Sequence, residues 1–301
     1  MKHDLNVTTI IILLFLLTQI VGLALVKEDI SVINNINGTI IIEHQETVIG
    51  ARPQTTGAES FAYVAVAVAI GTLLVLLIIK FGKMHLWKAW FFLAVFFAIS
   101  IALGVIMNKR WAFIIGFVLA LLKIYRRNIL THNLTEILMY SGLTVLLVPI
   151  FDLFWVFALL IAISIYDMYA VWKSKHMIKM AQFQTKSNLF AGLMIPYKEH
   201  KGLTLQLPEK PSFTKKKKVK NAILGGGDVA FPLIFSGVVM EHLIIQGLSL
   251  TSAFLQASII SLTTTIAVLG LFIFAKKDKF YPAMPTVTIG CIIGYLIILI
   301  I

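Results

Sequence analysis

FWVFALLIAISIYDMYAVW (residues 154–172) and NAILGGGDVAFPLIFSGVVM (residues 221–240) are two membrane-length apolar runs, and each contains one aspartate, Asp167 in the first and Asp228 in the second. An ionised carboxylate in hydrocarbon costs several kcal/mol, so an acid inside such a run marks a functional site by default. Two of them point to paired carboxylate chemistry.

The rest of the chain fits that setting. Of its 301 residues, 59% are hydrophobic and only 13% charged, and the mean hydropathy is +0.92. A water-soluble domain of this makeup could not cover its surface, so we expect an all-α polytopic membrane protein forming a single transmembrane domain over residues 1–301. The formal net charge of +12 does not indicate nucleic acid. The lysines and arginines fall in the gaps between apolar runs, where they act as topology signals and contacts for anionic lipid headgroups. The one cysteine, Cys291, permits no intrachain disulfide and reads as a small packing residue.

A span needs about 20 apolar residues. Runs at 5–26, 61–79, 89–107, 111–125, 134–150, 153–172, 221–240, 251–275 and 280–301 give nine transmembrane helices, six in residues 1–172 and three in 221–301, with a loop at 173–220. The first run is too long for a signal h-region and lacks an A-x-A site, so it reads as a retained helix. With the N-terminus cytoplasmic, 22 of the 26 basic residues lie on the inner side, which places the C-terminus outside and the 173–220 loop in the cytoplasm. Helix six then carries Asp167 roughly 9 Å from the inner boundary and helix seven carries Asp228 roughly 12 Å in, counting 1.5 Å per helical residue. On sequential antiparallel helices, the two acids sit at matching depth.

Gly225-Gly226-Gly227 before Asp228 lets another backbone approach and loosens a helix start, though small residues also serve plain helix packing. Pro282-Ala283-Met284-Pro285 removes two N–H donors at the start of helix nine. Irregular backbone at membrane depth is tolerated beside protein or a water-lined cavity, though proline also suits an ordinary first turn.

Together, Tyr166-Asp167 on the sixth helix, G-x-G-D at Gly225 to Asp228 on the seventh and Pro282-Ala283-Met284 on the ninth resemble the presenilin and signal-peptide-peptidase family of intramembrane aspartyl proteases. Met284 departs from the family's usual leucine, a swap of similar volume. The resemblance implies a GxGD-type intramembrane aspartic endopeptidase with Asp167 and Asp228 as catalytic acids. Gly225 and Gly227 would support the site and Pro282 to Met284 would hold substrate. Its partners would be transmembrane-helix substrates, single-pass proteins or their membrane remnants, within the lipid bilayer. The orientation is similar to presenilin and opposite to signal peptide peptidase.

Two close carboxylates share a proton. The ionised one takes a proton from water, which attacks the peptide carbonyl, and the protonated one donates to the carbonyl oxygen. Tyr166 either hydrogen-bonds this pair or lines its pocket. In the 173–220 loop, Gly202 to Leu207 alternates apolar and polar in a strand pattern centred on Leu205. Such an edge would bind an unwound substrate by strand addition, or else lie on the lipid headgroups. The piece 189–195 reads as interfacial. On the other side of the membrane, 30–33 and 39–42 flank Asn37-Gly38, a hairpin signal; Asn37-Gly38-Thr39 is also a glycosylation triplet. Glu136, Asp152, Glu241 and His242 lie near helix ends and read as interfacial caps. No metal-ligand cluster, phosphate loop or Ser/His/Asp set stands out, so no cofactor is expected.

The alternative is a cation or proton pathway using the same two acids as relay or coordination sites. It would more often show internal repeats, and none is visible. A prepilin-type peptidase shares G-x-G-D acids but accounts for neither Pro282-Ala283-Met284 nor nine helices.

Overall fold

In hydrocarbon each backbone N–H and C=O must be satisfied within the chain, so the long apolar runs have little choice but to be helices. The computed structural model describes residues 5–34, 40–52, 55, 57–126, 128–173, 180, 183–184, 189–197, 220–275 and 281–301, with backbone only at 33, 34, 197, 220 and 221. Nine helices of 16 or more residues lie among these: α1 (Leu5–Asp29), α2 (Ala58–Phe81), α3 (Met84–Ile106), α4 (Lys109–Tyr125), α5 (Ile129–Leu147), α6 (Leu153–Met168), α7 (Gly226–Ile245), α8 (Leu250–Phe274) and α9 (Met284–Ile300). Seven are long and apolar enough to cross a membrane, and α9, at 17 residues, is a shorter apolar helix. The join between α5 and α6 is a 3₁₀ turn, Val148–Ile150, built around Pro149. Asp152 then caps α6, its side chain accepting from the Trp155 N–H at 2.9 Å.

Burial decides the layering. The α7 span is 72% buried and forms the centre, whereas α2 is 11% buried and lies outermost. Around α7 pack α1, α5, α6, α8 and α9, while α3 and α4 pack on α5. Large apolar side chains such as Val66, Ile70, Leu73, Leu262 and Ile266 face outward, as expected of a surface solvated by lipid.

The runs flanking Asn37-Gly38 do pair: β1 (Ile30–Asn34) lies antiparallel to β2 (Ile40–His44), Ile30 opposite His44. His44 ends that hairpin between two carboxylates, with Nδ1 2.8 Å from Asp29 and Nε2 3.0 Å from Glu241 on α7. The second contact has the distance of an ion pair without hydrogen-bond alignment. Arg52 also reaches Asp29, at 2.7 Å. Burial pushes the imidazolium's pKa down, but the hydrogen bond and charge of Asp29 and the charge of Glu241 outweigh it and raise His44 from 6.5 to about 9. A pKa raised on folding adds stability that is complete below the unfolded value and lost as pH rises through the folded one. The thermal stability of the protein should therefore fall between pH 6.5 and about 9, by on the order of 3 kcal/mol. His44→Gln should flatten that slope in a melting series, and an unchanged slope would remove His44 from the account.

Three sequence expectations need correcting. The seventh helix does not begin at Asn221. Lys220–Gly225 is a strand, β4, and α7 starts at Gly226, so helical rise does not measure the depth of Asp228. The piece 189–195 is not simply interfacial, since Gly192–Tyr197 forms β3 and pairs antiparallel with β4, Leu193 opposite Leu224. The apolar-alternating character of NAILG suits a strand as well as a helix, and pairing with β3 settles it. Glu136 is not an interfacial cap, being fully buried and ion-paired with Lys123 of α4. The Gly202–Leu207 pattern, with Leu205, lies outside the described residues.

Candidate active site

Asp167 sits in the last turn of α6, 3% exposed, just before the helix widens into a π-type turn over Tyr169–Lys173. Asp228 sits in the first turn of α7, half-buried. The helices meet so that the charge of Asp167 acts on Asp228.

Each acid is held by backbone N–H groups, for a reason visible in the local sequence. Helix α9 begins with its first N–H donors unpaired, as every helix does, and it has no side-chain cap of its own. Pro282 and Pro285 have no N–H, which leaves Ala283 and Met284 as the donors between them. Met284 N donates to Asp167 Oδ2 at 3.2 Å, and the Ala283 N–H lies close enough to act on the same carboxylate electrostatically. Asp167 thus caps α9 from another helix, where the positive end of the dipole favours an anion. Pro282, Ala283 and Met284 are all buried there. One turn along, Ser164 of α6 and Thr288 of α9 share a 2.7 Å hydrogen bond, and the Phe157 ring packs between Phe235 of α7 and Tyr295 of α9 at 4.7 and 5.2 Å. These contacts fix the three helices that carry the acids and the proline segment.

Asp228 is held by its own helix. Gly225 is the N-cap of α7, and its backbone N–H is turned toward the Asp228 carboxylate three residues on, near enough to act on it electrostatically. A Cβ on Gly225 would lie 3.0 Å from Asp228 Oδ2, whereas one on Gly227 would meet nothing closer than Phe231 at 3.4 Å. The tighter position is the middle glycine: a Cβ on Gly226 would lie 2.5 Å from the Tyr140 hydroxyl. Pro232, one turn further, has no N–H to give the Asp228 carbonyl, which leaves that carbonyl outside the helix ladder. From α1, the fully buried Gln19 donates to the neighbouring Val229 carbonyl at 2.8 Å. Tyr166 is half-buried beside Asp167 on α6.

Tyr140 and Gln19 escape sequence reading, as does what the glycine at 226 makes room for. A tyrosine and a glutamine in apolar runs carry no signal of what they will touch, and the need for glycine at 226 depends on a side chain 86 positions earlier.

A family model described as signal-peptide peptidase, presenilin aspartyl protease matches residues 12–301. The chain belongs to this family. It is an integral, multi-pass membrane protein and an intramembrane aspartyl protease, acting on membrane-embedded substrates in a lipid environment. Two solved structures of a presenilin family intramembrane aspartate protease share its fold. One, in a P2 crystal form, has a TM-score of 0.60 at 16% identity over 96% of each chain. The other, in a C222 form, has a TM-score of 0.61 at 14% identity over 96% of this chain and 97% of that one. Among individually curated proteins, none matches the chain.

Proposed function

We propose that this family member is a GxGD-type endopeptidase whose catalytic pair is Asp167 and Asp228, cutting the transmembrane helices of single-pass proteins or their membrane remnants. What supports the reading is the placement of Asp228 in the G-x-G-D turn of α7, near enough to Asp167, the cap of α9, for the two charges to act on each other. Close carboxylates share one proton. The ionised member takes a proton from water as the water oxygen bonds to the scissile carbonyl carbon. The protonated member donates to the carbonyl oxygen, and collapse of the tetrahedral species expels the amine with a proton returned from the pair. Cleavage of a model transmembrane peptide by purified protein, with and without Asp228→Asn, tests the reading.

A helical substrate hides its carbonyls in its own hydrogen bonds and must unwind, and its freed backbone then needs partners. Strand β4 offers them. On β3, both polar groups of Gly192 and of Met194 turn toward α5 side chains: His132 and Glu136 at Gly192, and Asn133 at both the N–H and the C=O of Met194. Alternation of the strand then turns Leu193 and Ile195 toward β4, with Leu224 and Ala222 as their partners. Ile223 and Gly225 consequently face the other edge of β4; no described residue bonds to Ile223 there, and the Gly225 N–H is turned toward Asp228. That edge runs directly into the Gly225–Asp228 turn, so a substrate strand added there delivers its carbonyls to the acids. On this reading, strand addition takes place on β4, upstream of Asp228.

The distribution of basic residues supports an N-terminus inside and a C-terminus outside, which puts the acids nearer the inner face. A single-pass substrate of known orientation should accordingly be cut near its cytoplasmic end, as read by mass spectrometry of the products. In the same assay Ile223→Pro, which removes one outward N–H and no ladder donor, should lower kcat/KM by about 3- to 10-fold, the value of one hydrogen bond. Cuts at the outer end would invert the orientation, and wild-type kinetics in Ile223→Pro would take substrate off this edge.

A further inference from the structure

Glu136 is a carboxylate fully buried in the bundle, on α5 rather than at either catalytic position. Its closest contacts lead toward the site, and His132, one turn back on α5, lies 3.9 Å away. One oxygen pairs with the Lys123 ammonium of α4, itself 2% exposed. The other accepts the Gly192 N–H at 2.9 Å and the Tyr140 hydroxyl. Gly192 is the first residue of β3, with φ +150°, and a Cβ there would lie 2.3 Å from the Leu224 carbonyl, so this backbone position is tightly constrained. Tyr140 lies one turn along α5, with its hydroxyl against Gly226, two residues before Asp228. A single side chain therefore links the start of the β3–β4 hairpin to the turn that carries Asp228, independently of the covalent path along β4.

A buried ion pair is weak evidence for stability, because desolvation offsets most of its attraction, and an apolar pair of similar volume is often as stable. What Glu136 supplies and an apolar residue does not is a fixed set of acceptor positions. We propose that Glu136 is a positioning residue that sets the register of cleavage: it holds the hairpin at one height relative to Asp228, with Lys123 as its countercharge and Tyr140 as its reach to Gly226. The proposal rests on the acid pair and the β4 edge described above. Strand rise is about 3.3 Å per residue, and misplacement of a reacting atom by about 1 Å already costs on the order of 100-fold. A hairpin free to shift by a few ångströms would present the next carbonyls along the substrate as readily as the intended one.

The test is product analysis at early times by mass spectrometry, with kcat and KM, on full-length protein and a single-pass transmembrane peptide. Lys123→Met/Glu136→Met removes both charges and every acceptor while keeping bulk. It should fold, raise KM, and lose about tenfold of the preference for the main bond over its neighbours. Lys123→Met/Glu136→Gln returns a neutral acceptor to Gly192 and Tyr140 and should restore the wild-type register. A structural role alone would lower the amount of active protein without moving the cut. If the double Met variant does not fold, Tyr140→Phe carries the test, since it keeps the ion pair and the Gly192 bond and should still broaden the cut. A folded double Met variant or Tyr140→Phe protein that keeps the wild-type bond overturns the inference, as does a Gln variant as ragged as the Met one. Wild-type protein that cuts nothing, or Asp228→Asn that still cuts, overturns the protease reading itself.

Discussion

Purified protein carrying Asp167→Asn or Asp228→Asn should cleave a transmembrane peptide more slowly by roughly 10²–10⁴-fold or more, the range lost when a positioned proton donor or acceptor is removed. The loss should appear in kcat, because both residues act on the reacting carbonyl and water and neither lies on the β4 edge that would hold the substrate backbone. The fold should persist. An amide replaces a group whose charged form is costly to bury, and an Asn at 167 still offers an oxygen to the Met284 N–H. Melting curves at or above wild type, together with absent cleavage, are the expected result. If the two variants instead lost cation flux in liposomes and wild type never cut peptide, the pathway reading of the same acids would replace the catalytic one.

The largest effect on stability is expected at Gly142. On α5 it faces α3 so closely that a Cβ would lie 1.8 Å from the Ala98 carbonyl oxygen and 3.0 Å from the Ala102 nitrogen. These are backbone atoms of a packed helix, so no rotamer change relieves the clash and the two helices must separate. Gly142→Ala should cost about 3 kcal/mol or more, at or above the top of the usual overpacking range, with a lower melting temperature and less folded protein recovered. Gly71 on α2 and Gly270 on α8 are the controls, since a Cβ at either meets nothing within 4 Å. Alanine there should be neutral or stabilising by up to about 1 kcal/mol from helix propensity. Equal melting temperatures for Gly142→Ala and Gly71→Ala would show that α3 and α5 are not packed as described.

The apolar runs gave the helices nearly in full, because a chain in lipid has few other ways to satisfy its backbone. Boundaries moved by a few residues, as at α9, where Pro282 and Pro285 postpone the helix to Met284. The sequence is ambiguous at 220–225. There the composition of NAILG permits helix or strand, and the deciding partner, Gly192–Tyr197, lies over twenty residues earlier across a lysine-rich loop. Glu136 was misread for a related reason. Its position near a helix end suggested contact with water or headgroups, and only the packing of α4 against α5 supplies Lys123 to pair with it.

The sequence by itself determined the membrane class, the pair of acids and the segments that accompany them, since each rests on a cost that is local: charge in hydrocarbon, or proline without a donor. The tertiary structure decided how those segments meet. Asp167 as the cap of α9, Tyr140 against Gly226, and β3 held by α5 on the edge away from β4 are contacts between residues tens of positions apart. Such contacts depend on which helix faces pack together, and hydrophobicity, almost uniform around these helices, does not specify a face.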